Sequence, residues 1–192
     1  MTPLETLQWE RRRKLQIREA FRAGLAAYAN TTEDPVAFYR ACAGYLIPAQ
    51  RRLIDQDLRL AVLIASRVAA TQVEDHDKIS ALKARLRDSD AALGAFESAA
   101  NDLRERGIPA RAAFESAASA YIDFVVNVLG ARSHSLRHLT STLLSEADWT
   151  YITGITPALL AEEGEFFERV QTTAPAGIDP AHISTERPPP AS

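Results

Sequence analysis

Almost every mark of punctuation in this chain is a helix boundary, and that restricts the fold more than any other feature. Asp34-Pro35 sets a capping acceptor before a proline suited to the first helical turn, and Thr156-Pro157 repeats the arrangement. Thr71-Gln-Val-Glu74 and Ser145-Glu-Ala-Asp148 have the spacing of capping boxes. Gly107-Ile-Pro109 closes one helix and opens the next. These marks predict helices near 3–29, 35–70, 74–106, 109–143 and 146–170. Pro48 should bend or break the second helix, and Pro157 should divide the last. No hairpin dipeptide lies between alternating apolar runs, so no strand is expected. The 34 alanines against 8 glycines agree with helices. Helices of about 33 residues would be roughly 50 Å long, the proportions of a bundle.

At 192 residues the chain has the length of one domain with a real core. Residues 1–170 read as that domain. From Gln171 onward, prolines at 175, 180 and 188–190 and a lack of aromatics read as a mobile tail over 171–192. No apolar run approaches the roughly 20 residues needed to cross a bilayer, and the first ten residues lack a secretory apolar segment. A cytoplasmic protein without a membrane partner is the expectation. The single cysteine, Cys42, excludes an internal disulfide framework and any Cys-based zinc or iron–sulfur site; a buried, inert thiol is expected. The net charge of −3 leaves no nucleic-acid footprint. The basic run Arg11-Arg12-Arg13-Lys14 has no interleaved aromatics and reads as a solvated helix face.

Polar residues that fall on apolar stripes are the informative ones. Leu46, Leu53, Leu60, Ile64 and Val68 mark one face of the second helix, with Asp57 in register. His76 precedes a stripe running from Ile79 through Leu82, Leu86, Leu93 and Phe96 to Leu103. Arg132 interrupts Phe114, Ala118, Tyr121, Val125, Val128, Leu136, Leu139 and Leu143. In the first helix Arg11 and Arg18 sit among Leu4, Leu7, Phe21, Leu25 and Tyr28. In the last, Glu163 sits among Trp149, Ile152, Leu159, Phe167 and Val170. Unpaired buried charge is expensive, so these groups should pair across helices, bind something or reach solvent. Asp57, Arg132 and His76 are expected to share a polar pocket.

His134 and His138 have the i, i+4 spacing of a metal-ligand pair. Both point away from Val125, Leu136 and Leu139, however, on the face assigned to solvent. Residue 135 is Ser, so no HExxH motif forms. The serines beside His134 lack an oxyanion-hole motif, and the glycines never group into a phosphate loop.

The layout resembles hemerythrin-like, HHE-type cation-binding proteins over about residues 4–170. The segment Arg132 to Trp149, ending Leu-Ser-Glu-Ala-Asp-Trp, is similar to the helix break that follows the family's last ligand helix. Tyr45-Leu46 through Arg52-Leu53-Ile54-Asp55-Gln56-Asp57 resembles its second helix. Val73-Glu-Asp-His76-Asp-Lys-Ile-Ser-Ala-Leu82 resembles the helix that supplies a single histidine. The resemblance implies an antiparallel four-helix bundle, here with an additional C-terminal helix, around two irons held by histidines and carboxylates. Carried over residue by residue, the ligand set is depleted. The last HxxxE falls on Val128 and Arg132, the second helix's on Leu53 and Asp57, and the first helix's histidine near Arg11. Only His76 stands where a histidine is expected.

Arg132 would place a fixed positive charge where metal charge stood, and pairing with Asp57 would satisfy both. The leading expectation is therefore a non-catalytic binding or accessory protein without a cofactor. Its polar pocket of Arg11, Asp57, His76 and Arg132 would suit a small anion. An iron protein with a rearranged ligand set, beginning with Asp57, His76 and Glu163, is the first alternative. A structural interaction partner is the second. A homodimer or a partner protein stays open.

Overall fold

The computed structural model describes residues 2–29, 31–129 and 137–183. The helices, in order, are α1 (Pro3–Tyr28), α2 (Val36–Arg67), α3 (Val73–Arg106), α4 (Arg111–Phe124), α5 (Arg137–Leu143), α6 (Glu146–Thr153) and α7 (Pro157–Thr173). A short 3-10 turn, Ile108–Ala110, leads into α4, and a π-helical turn, Val125–Leu129, continues it. Among the described residues the fold is all-helical, and no helix is long and apolar enough to cross a membrane.

Most of the predicted boundaries arise from the chemistry anticipated. Ser145 and Asp148 form a reciprocal capping box at α6, and Thr156 caps α7; α2 instead starts at Val36 with Pro35 as an N-cap that has no side-chain bond, Asp34 only accepting from the Val36 amide at 2.8 Å. Gly107 ends α3 at φ 63°, and Gly154 ends α6 in the left-handed region. Two further expectations fail. Thr71 and Glu74 form no capping box: α3 begins after Gln72, whose side chain accepts from the Ala69 amide instead. Nor does Pro48 break α2, which runs unbroken from Val36 to Arg67 with Pro48 on an exposed position. There the lost amide bond faces water rather than core, and the rest of the helix is held by packing.

The α2 helix lies at the centre, packed against α1, α3 and α7, while α4 packs on α3 and α6 on α1. Phe21 of α1 meets Phe38 and Tyr39 of α2, Phe96 of α3 and Phe114 of α4, at ring-centroid distances of 5.9 to 6.4 Å. Phe96 stacks on Tyr121 at 5.0 Å. This aromatic cluster is the apolar core of one end of the bundle. Gly24 lets α1 sit directly against the Phe38 ring, because a Cβ there would overlap it. A smaller cluster of Ala61, Ile64, Val68, Ile79 and Leu139 closes the other end.

The expected boundary at residue 170 falls inside α7, which continues to Thr173. Beyond it the chain turns back along α1: Pro180 is buried, Ala174 and Ala181 pack on the core, and Gln16 donates to the Ala181 carbonyl at 3.2 Å. The described part of the expected tail, as far as residue 183, thus lies against the bundle. Its remainder, 184–192, lies outside the described residues.

Candidate functional site

Between the two apolar clusters, α1, α2, α3 and α7 face one another with polar side chains. The α1 core ladder runs Leu7, Glu10, Lys14, Ile17, Phe21, Gly24, Tyr28, alternating steps of three and four. Glu10 and Lys14 thus enter the interior by register, and each organises one half of a polar seam.

The Glu10 half is the more deeply buried. Glu10 and Glu163 are only 5% and 4% exposed, and both carboxylates are gripped by one guanidinium, that of Arg52. Arg52 Nε donates to Glu10 at 3.1 Å, and its Nη2 pairs with Glu163. Gln56 donates from Nε2 to the other Glu10 oxygen at 3.3 Å and to the Thr153 carbonyl at 3.0 Å. A cavity of about 30 Å³, lined by Tyr45, Pro48, Arg52, Leu159, Glu162, Glu163 and Phe166, borders this cluster. It has the size of a water molecule, not of an organic ligand. Burial pushes the adjacent Tyr45 hydroxyl up to about 12. Arg13 seals the outer side, its guanidinium 4.6 Å from the Trp9 ring centroid and 4.0 Å from that of Phe167.

The Lys14 half opens towards solvent. Arg11 bonds Asp57 at 3.1 Å across α1 and α2. Lys14 Nζ donates to Gln50 Oε1 at 2.7 Å, and Gln50 Nε2 donates to Ser89 of α3 at 3.3 Å. Burial raises the Asp57 carboxyl above the usual carboxylate range, partly offset by Arg11, Lys14 and Arg85. Burial, reinforced by the Arg11 charge, lowers Lys14 to about 7. Among the described residues, neither Lys14 nor Arg85 has a carboxylate within ion-pair distance.

The depressed Lys14 value fixes the sign of a stability change. Between about pH 7 and the unfolded value of 10.5, the unfolded chain holds a proton that folded Lys14 has released. The stability of the wild type should therefore rise, relative to Lys14→Met, as pH increases through that window. Urea unfolding of both proteins at pH 6 and pH 9.5 measures it. A difference that stays constant would place Lys14 in water.

Of the sequence-expected pocket, Arg11 and Asp57 come together. No hydrogen bond or ion pair among the described residues links His76 to either. The Gln50–Ser89 contact sets the α2–α3 register, so Asp57 faces residue 82 and His76 faces residue 63. Six residues of helix separate the two levels, roughly 9 Å. Arg132, the expected partner of Asp57, lies outside the described residues, as do His134 and the side chain of His138; Arg11 takes the pairing role. Glu163 is buried as its stripe suggested. Cys42 is buried, and burial raises its thiol well above the usual range.

The basic run is corrected. It divides into an exposed Arg12, an ion-paired Arg11, a ring-sandwiched Arg13 and a half-buried Lys14, rather than forming one solvated face. Glu10, Lys14, Gln50, Arg52 and Gln56 were not anticipated. The spacing of Leu7, Ile17, Phe21 and Tyr28 carries the signal for the first two.

The described residues do not fit a di-iron centre. Among the described residues no three His, Cys, Asp or Glu side chains gather around a common point. Asp57 is turned to Arg11 and Glu163 to Arg52, in different halves of the seam. Comparisons with protein-family models, with curated proteins and with solved structures found no match for this chain.

Proposed function

We propose that this chain is a hemerythrin-like four-helix bundle, with an additional C-terminal helix, whose interior carries guanidinium–carboxylate pairs in place of metal ligands. It works as a non-catalytic binding protein for a small anion. The supporting observation is the charge balance of the Lys14 half. Beside the closed Arg11–Asp57 pair stand two half-buried cations, Lys14 and Arg85, with no carboxylate partner among the described residues. Partly buried cations without counter-charges favour an anion more than exposed ones do, because the surrounding dielectric is lower. The Glu10 half closes on itself and serves as the rigid wall behind this opening.

Calorimetric titration of the full chain with inorganic phosphate at low ionic strength and pH 6.5 tests the reading. Saturable binding should appear, weakened at least tenfold, or about 1.4 kcal/mol, in Arg85→Met. Binding unchanged by that substitution, or none at millimolar phosphate, would contradict it.

A further inference from the structure

The small cavity beside the Glu10 half of the seam has polar lining atoms that nothing satisfies. Tyr45 and Glu163 both line it, and they are only 2% and 4% exposed. Glu163 Oε1 meets Arg52, but among the described residues neither Glu163 Oε2 nor the Tyr45 hydroxyl has a hydrogen-bond partner. Buried polar atoms are rarely left so, and two of them on one cavity point to an occupant. At about 30 Å³ the space admits one body of the size of water. Glu162, exposed on α7, adds a second carboxylate to the lining. Pro48, also in the lining, has no amide to give the Gly44 carbonyl, and Gly44 faces the Phe166 ring that borders the same space.

The charges around the cavity are unequal. Carboxylates come from α1 (Glu10) and α7 (Glu162 and Glu163), and guanidiniums from α1 (Arg13) and α2 (Arg52). Three anions thus stand against two cations. Arg52 directs Nε to Glu10 and Nη2 to Glu163 Oε1, and Arg13 lies over the Trp9 and Phe167 rings. Arg169, over the Phe166 ring, is matched by Glu165.

We propose that this cavity binds an ammonium ion. Its four N–H donors answer four acceptors: Glu163 Oε2, the Tyr45 hydroxyl oxygen, the Glu162 carboxylate and the Gly44 carbonyl. Its single charge cancels the excess. Water fits the space but carries no charge and donates only two hydrogen bonds. An alkali ion would exchange its hydration shell for too few oxygens. Burial holds Tyr45 in the phenol form, whose oxygen lone pairs accept from a donor. The inference does not depend on the phosphate reading, which concerns the Lys14 half of the seam.

The test titrates ¹⁵N-labelled ammonium chloride into the full chain at pH 6.5, with ionic strength held by tetramethylammonium chloride. Bound ammonium is read from ¹H–¹⁵N spectra. The expected result is saturable millimolar binding, weakened at least tenfold in Glu163→Gln and in Tyr45→Phe. Ammonium should also raise the melting temperature of the wild type, and sodium or potassium at equal concentration should not. No saturable binding up to about 100 mM, the behaviour of a cavity that holds water, overturns the proposal. So does an affinity unchanged in either variant, or equal stabilisation by sodium or potassium. The wild-type titration and the cation comparison decide the matter even if a variant does not fold.

Discussion

Arg52→Met should destabilise the fold by about 3–5 kcal/mol, the scale on which loss of one partner strands buried charge. Arg52 is the only guanidinium on Glu10 and Glu163 among the described residues, and both carboxylates are almost wholly buried. Removing it leaves two like charges facing each other across α1 and α7, with Gln56 as the remaining donor on Glu10. The effect should appear as a lower urea midpoint at an unchanged slope. Adding Glu10→Gln and Glu163→Gln should recover most of the loss, since a neutral cluster carries no stranded charge. A loss below about 1 kcal/mol for the single variant would mean that water reaches the carboxylates.

Phe21→Ala should cost a similar amount, about 3–5 kcal/mol, for a different reason. Phe21 is fully buried and touches rings from three other helices, so its removal opens a cavity where α1 joins α2, α3 and α4. The surrounding rings come from long, mutually packed helices and have little room to collapse inward. Leu4, on the same helix but 40% exposed, provides the comparison: Leu4→Ala should change stability by about 0.5 kcal/mol or less. Urea unfolding of the two variants side by side measures the contrast. Similar losses from both would contradict the burial pattern of α1.

Fold class was legible because helix punctuation is local. Ser145, Thr156, Gly107 and Pro157 act on the backbone within a few residues, and the structure uses each as its sequence context indicates. The long stripes of α2 and α3 were legible for the same reason. Their spacing survives whatever packs against them, and Ile79, Leu86, Leu93, Phe96 and Leu103 are all buried.

The polar seam was less legible. Neighbouring residues on a helix are 100° apart, so a stripe drawn through Leu4, Leu7 and Leu25 brings Arg11 inward. The observed ladder through Leu7, Ile17 and Gly24 brings Glu10 inward and leaves Arg11 at the rim, reaching across to Asp57. Leu7, Ile17, Phe21 and Tyr28 fix that rotation together with the contact of Gly24 on Phe38, and the glycine among them carries no hydropathy signal. Of the bend or break expected at Pro48, the break is absent for a related reason. A proline penalises the helix that contains it, but the cost falls on an exposed turn while Tyr45, Leu46, Ala49 and Gln50 remain buried around it. The division of Asp57 and Glu163 between two arginines was not visible either, because ion-pair choice depends on distances between helices.

Metal content tests most directly the claim that arginines occupy the carboxylates a metal would need. The measurement is elemental analysis of untagged full-length protein purified after growth with added iron, together with its visible spectrum. The account predicts iron well below one equivalent and no oxo-bridge absorption. About two irons per chain with that absorption would contradict it, since such a site would need carboxylate ligands that the Arg11–Asp57 and Arg52–Glu163 pairs now withhold.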